Sequence, residues 1–190
     1  PRVIPAAEWV TLEKGLIQRV TALNLFLKDI YGPKRIVADK IIPEEFIFSS
    51  KGFLPQCDNL EPPKGIYTHI SGIDLVQARN KSWYILEDNL RIPSGASYPL
   101  IARKLCRLAS PETFTRNHVR DNRSYPHLLK TVMDNVNTGG LNVILTPGRY
   151  NAAFFEHAYL AEKMHAVLAM NSDLYVENNQ LFFRDNSGKP

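Results

Sequence analysis

The segment Ser71 to Gly95, SGIDLVQARNKSWYILEDNLRIPSG, restricts the fold more than any other stretch of this 190-residue chain. Its runs GIDLV and SWYILED are rich in β-branched and aromatic residues and are separated by the polar stretch ARNK, which predicts two antiparallel strands joined as a hairpin. Asp74 opens the apolar part of the first strand. Glu87 and Asn89 stand two residues apart near the end of the second, so strand alternation puts them on one face. Two carboxylates and an amide at one end of a hairpin are hard oxygen donors of the kind magnesium takes, with water and phosphate oxygens completing its shell. The same residues also suit a solvated strand end, and Pro93, Ser94 and Gly95 predict a turn in either case.

The surrounding pattern is that of an α/β (α+β) chain. Trp9, Leu12, Leu16, Val20, Leu23, Leu27 and Ile30 follow helical spacing, and Gly32 with Pro33 ends the run, so Ala6 to Ile30 is expected to be one long amphipathic helix with Glu8, Glu13, Lys14 and Lys28 on its wet face. RIVADKII reads as a short strand or turn, Pro43 opens a helical turn, and Lys51 to Lys64 reads as a loop. A helix is expected over 96–108, another element starts with Ser110 as cap and Pro111 at its first position, and a further helix runs from Ser124 or Tyr125 to Val136. The stretch Asn137 to Gly140 has glycines and no apolar content, which places a domain boundary there, between residues 1–138 and 139–190. Beyond it LNVIL, a helical stripe in AAFFEHAYLAEKM and AVLAM form strand, helix and strand, a βαβ unit whose natural binding site is the PGRYN turn. DLYVEN and QLFFRD flank Asn178 and Asn179 as a terminal hairpin.

The net charge of +4 is unevenly spread: Arg91 to Lys130 holds eight basic and two acidic residues. Such a segment suits a triphosphate or a solvated helix face. No helix-turn-helix, RRM or zinc pattern accompanies it, which argues against nucleic acid as the partner. No apolar run approaches the ~20 residues of a membrane helix, and the start PRVIPAAEW lacks a signal-peptide core, so a cytoplasmic location is expected. Cys57 and Cys106 have no metal-type spacing and are expected to be free thiols.

Asp74, Glu87 thirteen positions later, Asn89, and then Pro93 and Gly95 form a run that resembles the metal-binding hairpin of ATP-grasp ligases such as D-alanine-D-alanine ligase. EWVTLEKGLIQRVTALNLFLKDIY, ILEDNLRIPSGASY and ILTPGRYNAAFFEHAYLAEKM are similar to the circularly permuted ATP-grasp proteins, which are also compared with glutathionylspermidine synthase. The resemblance implies ATP-dependent ligation of a carboxylate to an amine through an acyl phosphate. It implies two magnesium ions held by Asp74, Glu87 and Asn89, with ATP and small carboxylate and amine compounds as partners. Residues 1–138 would be a C-terminal-type ATP-grasp lobe and 139–190 a preATP-grasp βαβ unit. Gly148, Asn151, Glu156 and His157 match the family's TPG-x-x-N-x-x-x-x-EH run, and with Ser94 and Gly95 they are the implied phosphate or substrate contacts. For Glu156 a helix-face charge, and for His157 a place in the core, are equally open. Gln18, Arg19 and Asn24 match a QR-x-x-ALN run, for which packing is the favoured role. Gly72 stands where many members carry an arginine, and Arg91 is the nearest replacement as a catalytic group. The resemblance further implies that a second ATP-grasp lobe follows Pro190, so that these residues are part of a larger enzyme. The alternative is a non-catalytic ATP-grasp-like binding module whose basic stretch contacts a partner.

Overall fold

The computed structural model describes residues 3–185, and its chain divides after Pro93 into two compact units, Pro1–Pro93 and Ser94–Pro190. The first unit opens with α1 (Ala6–Ile30), the helix that the apolar spacing predicts. Its end leads into α2 (Arg35–Ala38), a helical turn where a strand or turn was expected. The reason is local: the Asp29 carboxylate accepts the N–H groups of Arg35 and Ile36 at 3.1 and 2.9 Å, satisfying donors that a helix start leaves open. After α3 (Glu44–Phe48), Tyr31 stacks on Phe53 and Tyr67 with centroids 5.0 and 6.2 Å apart, forming a small aromatic core beside buried Ile30 and Ile47.

Strands β1 (Gly72–Gln77) and β2 (Trp83–Asn89) form the expected antiparallel hairpin. A two-stranded ribbon is marginal in water by itself, so it needs a surface to lie on. Helix α1 supplies it through Leu12, Leu16, Leu23 and Phe26, which line an open groove of about 1020 Å³ together with Leu75, Trp83 and Ile85 of the ribbon. Two polar ties fix the ribbon on the helix. Near the hairpin turn, Glu8 accepts from Gln77 Nε2 at 2.6 Å and from Trp83 Nε1, so Glu8 is a buried-side tie and not the wet-face charge that its sequence position suggests. Near the open end Arg19 pairs with Asp88. Asn24 serves as a third tie, to the segment leading into β1. Its Oδ1 accepts the backbone N–H of Tyr67 and Thr68 at 3.0 and 3.1 Å while its Nδ2 donates to Thr68 O at 3.2 Å. Arg19 and Asn24 therefore have the packing role favoured for them.

The second unit contains α4 (Ser97–Ala109), α5 (Pro111–Asn117), α6 (Tyr125–Val136), β3 (Val143–Leu145), α7 (Phe154–Met164) and β4 (Val167–Ala169), followed by the hairpin of β5 (Leu174–Glu177) and β6 (Gln180–Phe183). Ser110 stands at the start of α5 as expected, but its hydroxyl meets the Thr113 hydroxyl at 2.7 Å and not a backbone N–H. Strands β3 and β4 are parallel, with α7 as the crossover, which is the βαβ unit expected from the alternation of apolar runs. Asn178 and Asn179 take φ of 48° and 60°, the left-handed pair that a two-residue hairpin turn requires. Compactness divides the chain after Pro93, ahead of the glycine-rich stretch Asn137 to Gly140, and within the second unit α4 and α6 pack on α7. The outermost residues of the two expected domains, 1–2 and 186–190, lie outside the described residues. Both cysteines are free, as expected. Among the described residues no helix is long and apolar enough to cross a membrane.

Replacing Asn24 with Ala strands two backbone donors and is expected to lower the unfolding free energy by about 2 kcal/mol in urea titration. A loss below a few tenths would show that water replaces the amide without cost.

Candidate metal centre and substrate-facing turn

The first site is built by one irregularity in the ladder. Strand alternation alone would put Trp83, Ile85, Glu87 and Asn89 on the same face of β2. The observed register pairs Leu75 with Ile85 and Asp74 with Glu87, so Leu86 has no partner and the strand changes phase there, as in a β-bulge. Before Leu86 the half-buried side chains are Trp83 and Ile85, and beyond it the half-buried one is Asp88. Glu87 and Asn89 consequently emerge on the exposed face with Asp74. Asp74 is directly opposite Glu87, Gly72 is opposite Asn89, and Asn89 Nδ2 donates to Glu87 Oε1 at 3.0 Å. The three expected ligands thus share one face at one end of the ribbon.

Like charges directly opposite in a ladder destabilise it. Among the described residues neither Asp74 nor Glu87 has an ion pair to offset this. The donor set fits a hard divalent cation that keeps water or phosphate oxygens in its shell. No group of three or more His, Cys, Asp or Glu is gathered for a metal among the described residues. An ion at this site would therefore rest on two carboxylates and an amide. Arg91 is exposed on the segment after β2. A Cβ at Gly72 would lie 3.0 Å from Pro93 Cβ and 3.4 Å from Asn89 Cβ, so the arginine that the resemblance leads one to expect there would crowd Pro93.

Asp88, between the two donors of β2, accepts both prongs of Arg19, Nε to Oδ1 at 2.7 Å and Nη2 to Oδ2 at 2.6 Å. These bonds draw its pKa below the usual carboxylate value against the effect of burial. Neither Asp88 nor its partner is singled out by the spacing of the hairpin. Unbroken alternation from Trp83 and Ile85 would put Asp88 on the exposed face, so nothing in the residue pattern of β2 points to this pair.

The second group lies in the second unit and centres on Glu156, which is only 5 % exposed. Its Oε1 accepts the Gly95 N–H at 2.6 Å, and its Oε2 accepts the N–H and the hydroxyl of Ser97, both at 2.8 Å. Glu156 occupies the start of α4 as an anionic ligand would, and so takes the Gly95 donor that the resemblance assigns to a phosphate. Ser94 is exposed beside it. Burial pushes Glu156 up, but the bonds from the Ser97 and Gly95 backbone and the Ser97 hydroxyl outweigh it, leaving the carboxyl below its ordinary 4.5. Burial, and secondarily the charge of Glu156, push Tyr125 up.

His157 follows on α7, with Nδ1 3.0 Å from the hydroxyl of Thr146, a residue 1 % exposed. The same hydroxyl accepts the Gly148 N–H at 3.2 Å. Gly148 has φ of +105°, which a side chain would resist, and it is buried against Met170. Asn151 Oδ1 accepts the Ala153 N–H at 2.9 Å and leads the chain into α7. The turn therefore closes on itself and projects Arg149 and Tyr150, the latter 99 % exposed. In the basic stretch, Arg116, Arg123 and Lys130 pair with Glu112, Asp121 and Asp134, and Arg103 donates to the Arg120 carbonyl, so these cations are engaged locally.

The circularly permuted ATP-grasp type 2 family matches residues 1–190, and the chain belongs to it. An uncharacterized protein of Synechocystis sp. is 44% identical over 99% of this chain and 40% of its own length. An uncharacterized protein of Mycobacterium tuberculosis is 40% identical over 100% of this chain and 35% of its own length. A protein of Frankia casuarinae named "Putative glutamate-cysteine ligase 2-2" is 39% identical over 97% of this chain and 22% of its own length. The chain thus spans two fifths or less of these curated relatives.

Two outcomes follow from these sites. Asp74→Asn relieves the repulsion and is expected to stabilise the metal-free protein by about 0.5 kcal/mol; if the site takes a divalent ion, added Mg²⁺ is expected to raise the melting temperature of the parent and not that of the variant, and an equal response in both would remove Asp74 from the site. For Glu156 the folded pKa is lowered, so its stabilising effect is present above the ordinary 4.5 and is lost as pH falls through the folded value. Thermal melts between about pH 3 and pH 6 are expected to show parent and Glu156→Gln converging toward acid. A gap independent of pH would contradict that linkage.

Proposed function

We propose that this chain supplies the metal-binding hairpin and a substrate-facing βαβ unit of an ATP-dependent carboxylate-amine ligase acting in the cytoplasm. The observation that carries this reading is the pairing of Asp74 with Glu87 on one exposed face, with Asn89 beside them. Membership in an ATP-grasp family and the ligase name of the Frankia relative support it. In this reading residues 1–138 are the C-terminal-type lobe, 139–190 begin the preATP-grasp unit, and the remainder of a longer polypeptide supplies the nucleotide-gripping lobe.

Asp74, Glu87 and Asn89 would hold magnesium, with two ions as the expected complement. Magnesium supplies neutralisation of β- and γ-phosphate charge as the γ-phosphoryl leaves ADP. The carboxylate substrate takes that phosphoryl group, forming an acyl phosphate, and the amine then attacks the acyl carbon, forming the amide and releasing inorganic phosphate. Arg91 is exposed one turn beyond the donors, where a guanidinium can hold a phosphate or the developing oxyanion by two hydrogen bonds. Glu156 holds the Gly95 to Ser97 turn, and the 148–151 turn with His157 offers the substrate contacts of the second unit. Positioning and electrostatics dominate phosphoryl transfer, so loss of one metal carboxylate is expected to raise the barrier by an amount on the order of several kcal/mol. In the protein at full length, Glu87→Ala is expected to abolish magnesium-dependent ATP turnover with an unchanged circular dichroism spectrum. Undiminished turnover would refute the assignment.

A further inference from the structure

The phase change at Leu86 leaves β2 with a choice, because a shift of pairing by one residue exchanges every side chain between the two faces. In one phase Glu87 and Asn89 are exposed and Asp88 faces the helix, and in the other the two donors turn inward. Arg19 decides between them. Its fork meets both oxygens of Asp88 at 2.7 and 2.6 Å, a two-point contact that fixes the direction of the carboxylate as well as its place. Asp88 is flanked on either side by a donor of the metal centre, so anchoring it inward sends both neighbours outward. The hairpin is held on the other side of Leu86 as well, by Glu8 on Gln77 and Trp83. These ties lie about 16 Å apart along α1 at 1.5 Å per residue, and about 14 Å apart along β1 at 3.4 Å per residue. The helix therefore grips the ribbon before and after the irregularity with nearly matched spacing.

We infer that Arg19 is a positioning residue for the metal centre, acting through Asp88 to set the face on which Glu87 and Asn89 present their oxygens. The inference rests on the reading of Asp74, Glu87 and Asn89 as metal ligands. It makes a prediction opposite in sign to that of simple charge. Arg19 is a cation, so by electrostatics alone its removal tightens binding of a divalent ion, whereas loss of positioning weakens it.

The test is titration of Mn²⁺ into the protein at full length, with free ion followed by electron paramagnetic resonance and folding checked by circular dichroism. Arg19→Gln is expected to weaken Mn²⁺ binding about tenfold to a hundredfold, the range seen when partners that orient metal ligands are removed. Arg19→Lys keeps the charge without the fork and is expected to fall between Arg19→Gln and the parent. Arg19→Gln binding as tightly as the parent or tighter, while Glu87→Gln has lost the ion, overturns the positioning role alone. Should Arg19→Gln fail to fold, parent-like binding by Arg19→Lys overturns it equally. A parent protein that takes up no Mn²⁺, or a Glu87→Gln variant that binds like the parent, overturns the metal reading itself.

Discussion

The cross-strand opposition of Asp74 and Glu87 is the constraint around which the first unit is arranged. Two like charges face each other on an exposed ribbon that has only one neighbouring strand, and both features weaken it. The compensation lies on the other face. Leu75, Trp83 and Ile85 face the apolar stripe of α1 across the open groove, and the polar ties from Glu8 and Arg19 hold the ribbon at two points. The side chains that hold the ribbon and those proposed to hold a metal are thus separated by the pleat, and the unpaired Leu86 keeps the separation intact where the face changes. Irregularities of this type recur beside functional sites because they redirect side chains without breaking the strand.

The second unit solves a different problem with the same residue class. Glu156 is a buried carboxylate, which is costly unless hydrogen bonds replace its water. Three donors from Gly95 and Ser97 do so, and the charge also favours the start of α4. The carboxylate is saturated by protein groups, which makes it a post between α7 and the turn after β2 more than a group with oxygens to offer. Its neighbour His157 keeps one ring nitrogen on Thr146, and Thr146 in turn holds the Gly148 amide. Asp74 and Glu87 present the contrast: exposed, without counter-ions among the described residues, and held in place by what lies behind them.

Periodicity made the larger elements legible. The stripe of α1, both hairpins and the β3–α7–β4 unit follow directly from apolar spacing and turn residues, and the shared face of Glu87 and Asn89 followed from strand alternation, with Asp74 joined to them by the family run. Other features depended on contacts distant in sequence. Nothing local distinguishes Glu8 from the other charges of α1, because its partners are 69 and 75 residues away. The helical state of Arg35 to Ala38 comes from an Asp29 carboxylate six residues upstream, which overrides the strand preference of Ile36 and Val37. The division after Pro93 depends on such contacts too, because compactness is set by α4 and α6 meeting α7, whereas the turn at Gly139 and Gly140 is held locally by the Asn137 side chain. The irregularity at Leu86 left no trace in residue type, although without it the alternation that puts Glu87 with Asn89 would have sent both to the helix side.

The central claim is that a divalent ion binds the exposed face of the β1–β2 ribbon and no other part of it. Paramagnetic line broadening by substoichiometric Mn²⁺, read residue by residue in a side-chain and amide NMR spectrum of the full-length protein, tests this most directly. The account predicts the strongest broadening at Asp74, Glu87 and Asn89, with Leu75, Ile85 and the α1 side chains behind the ribbon far less affected. Broadening centred elsewhere, or equal on both faces, would contradict it.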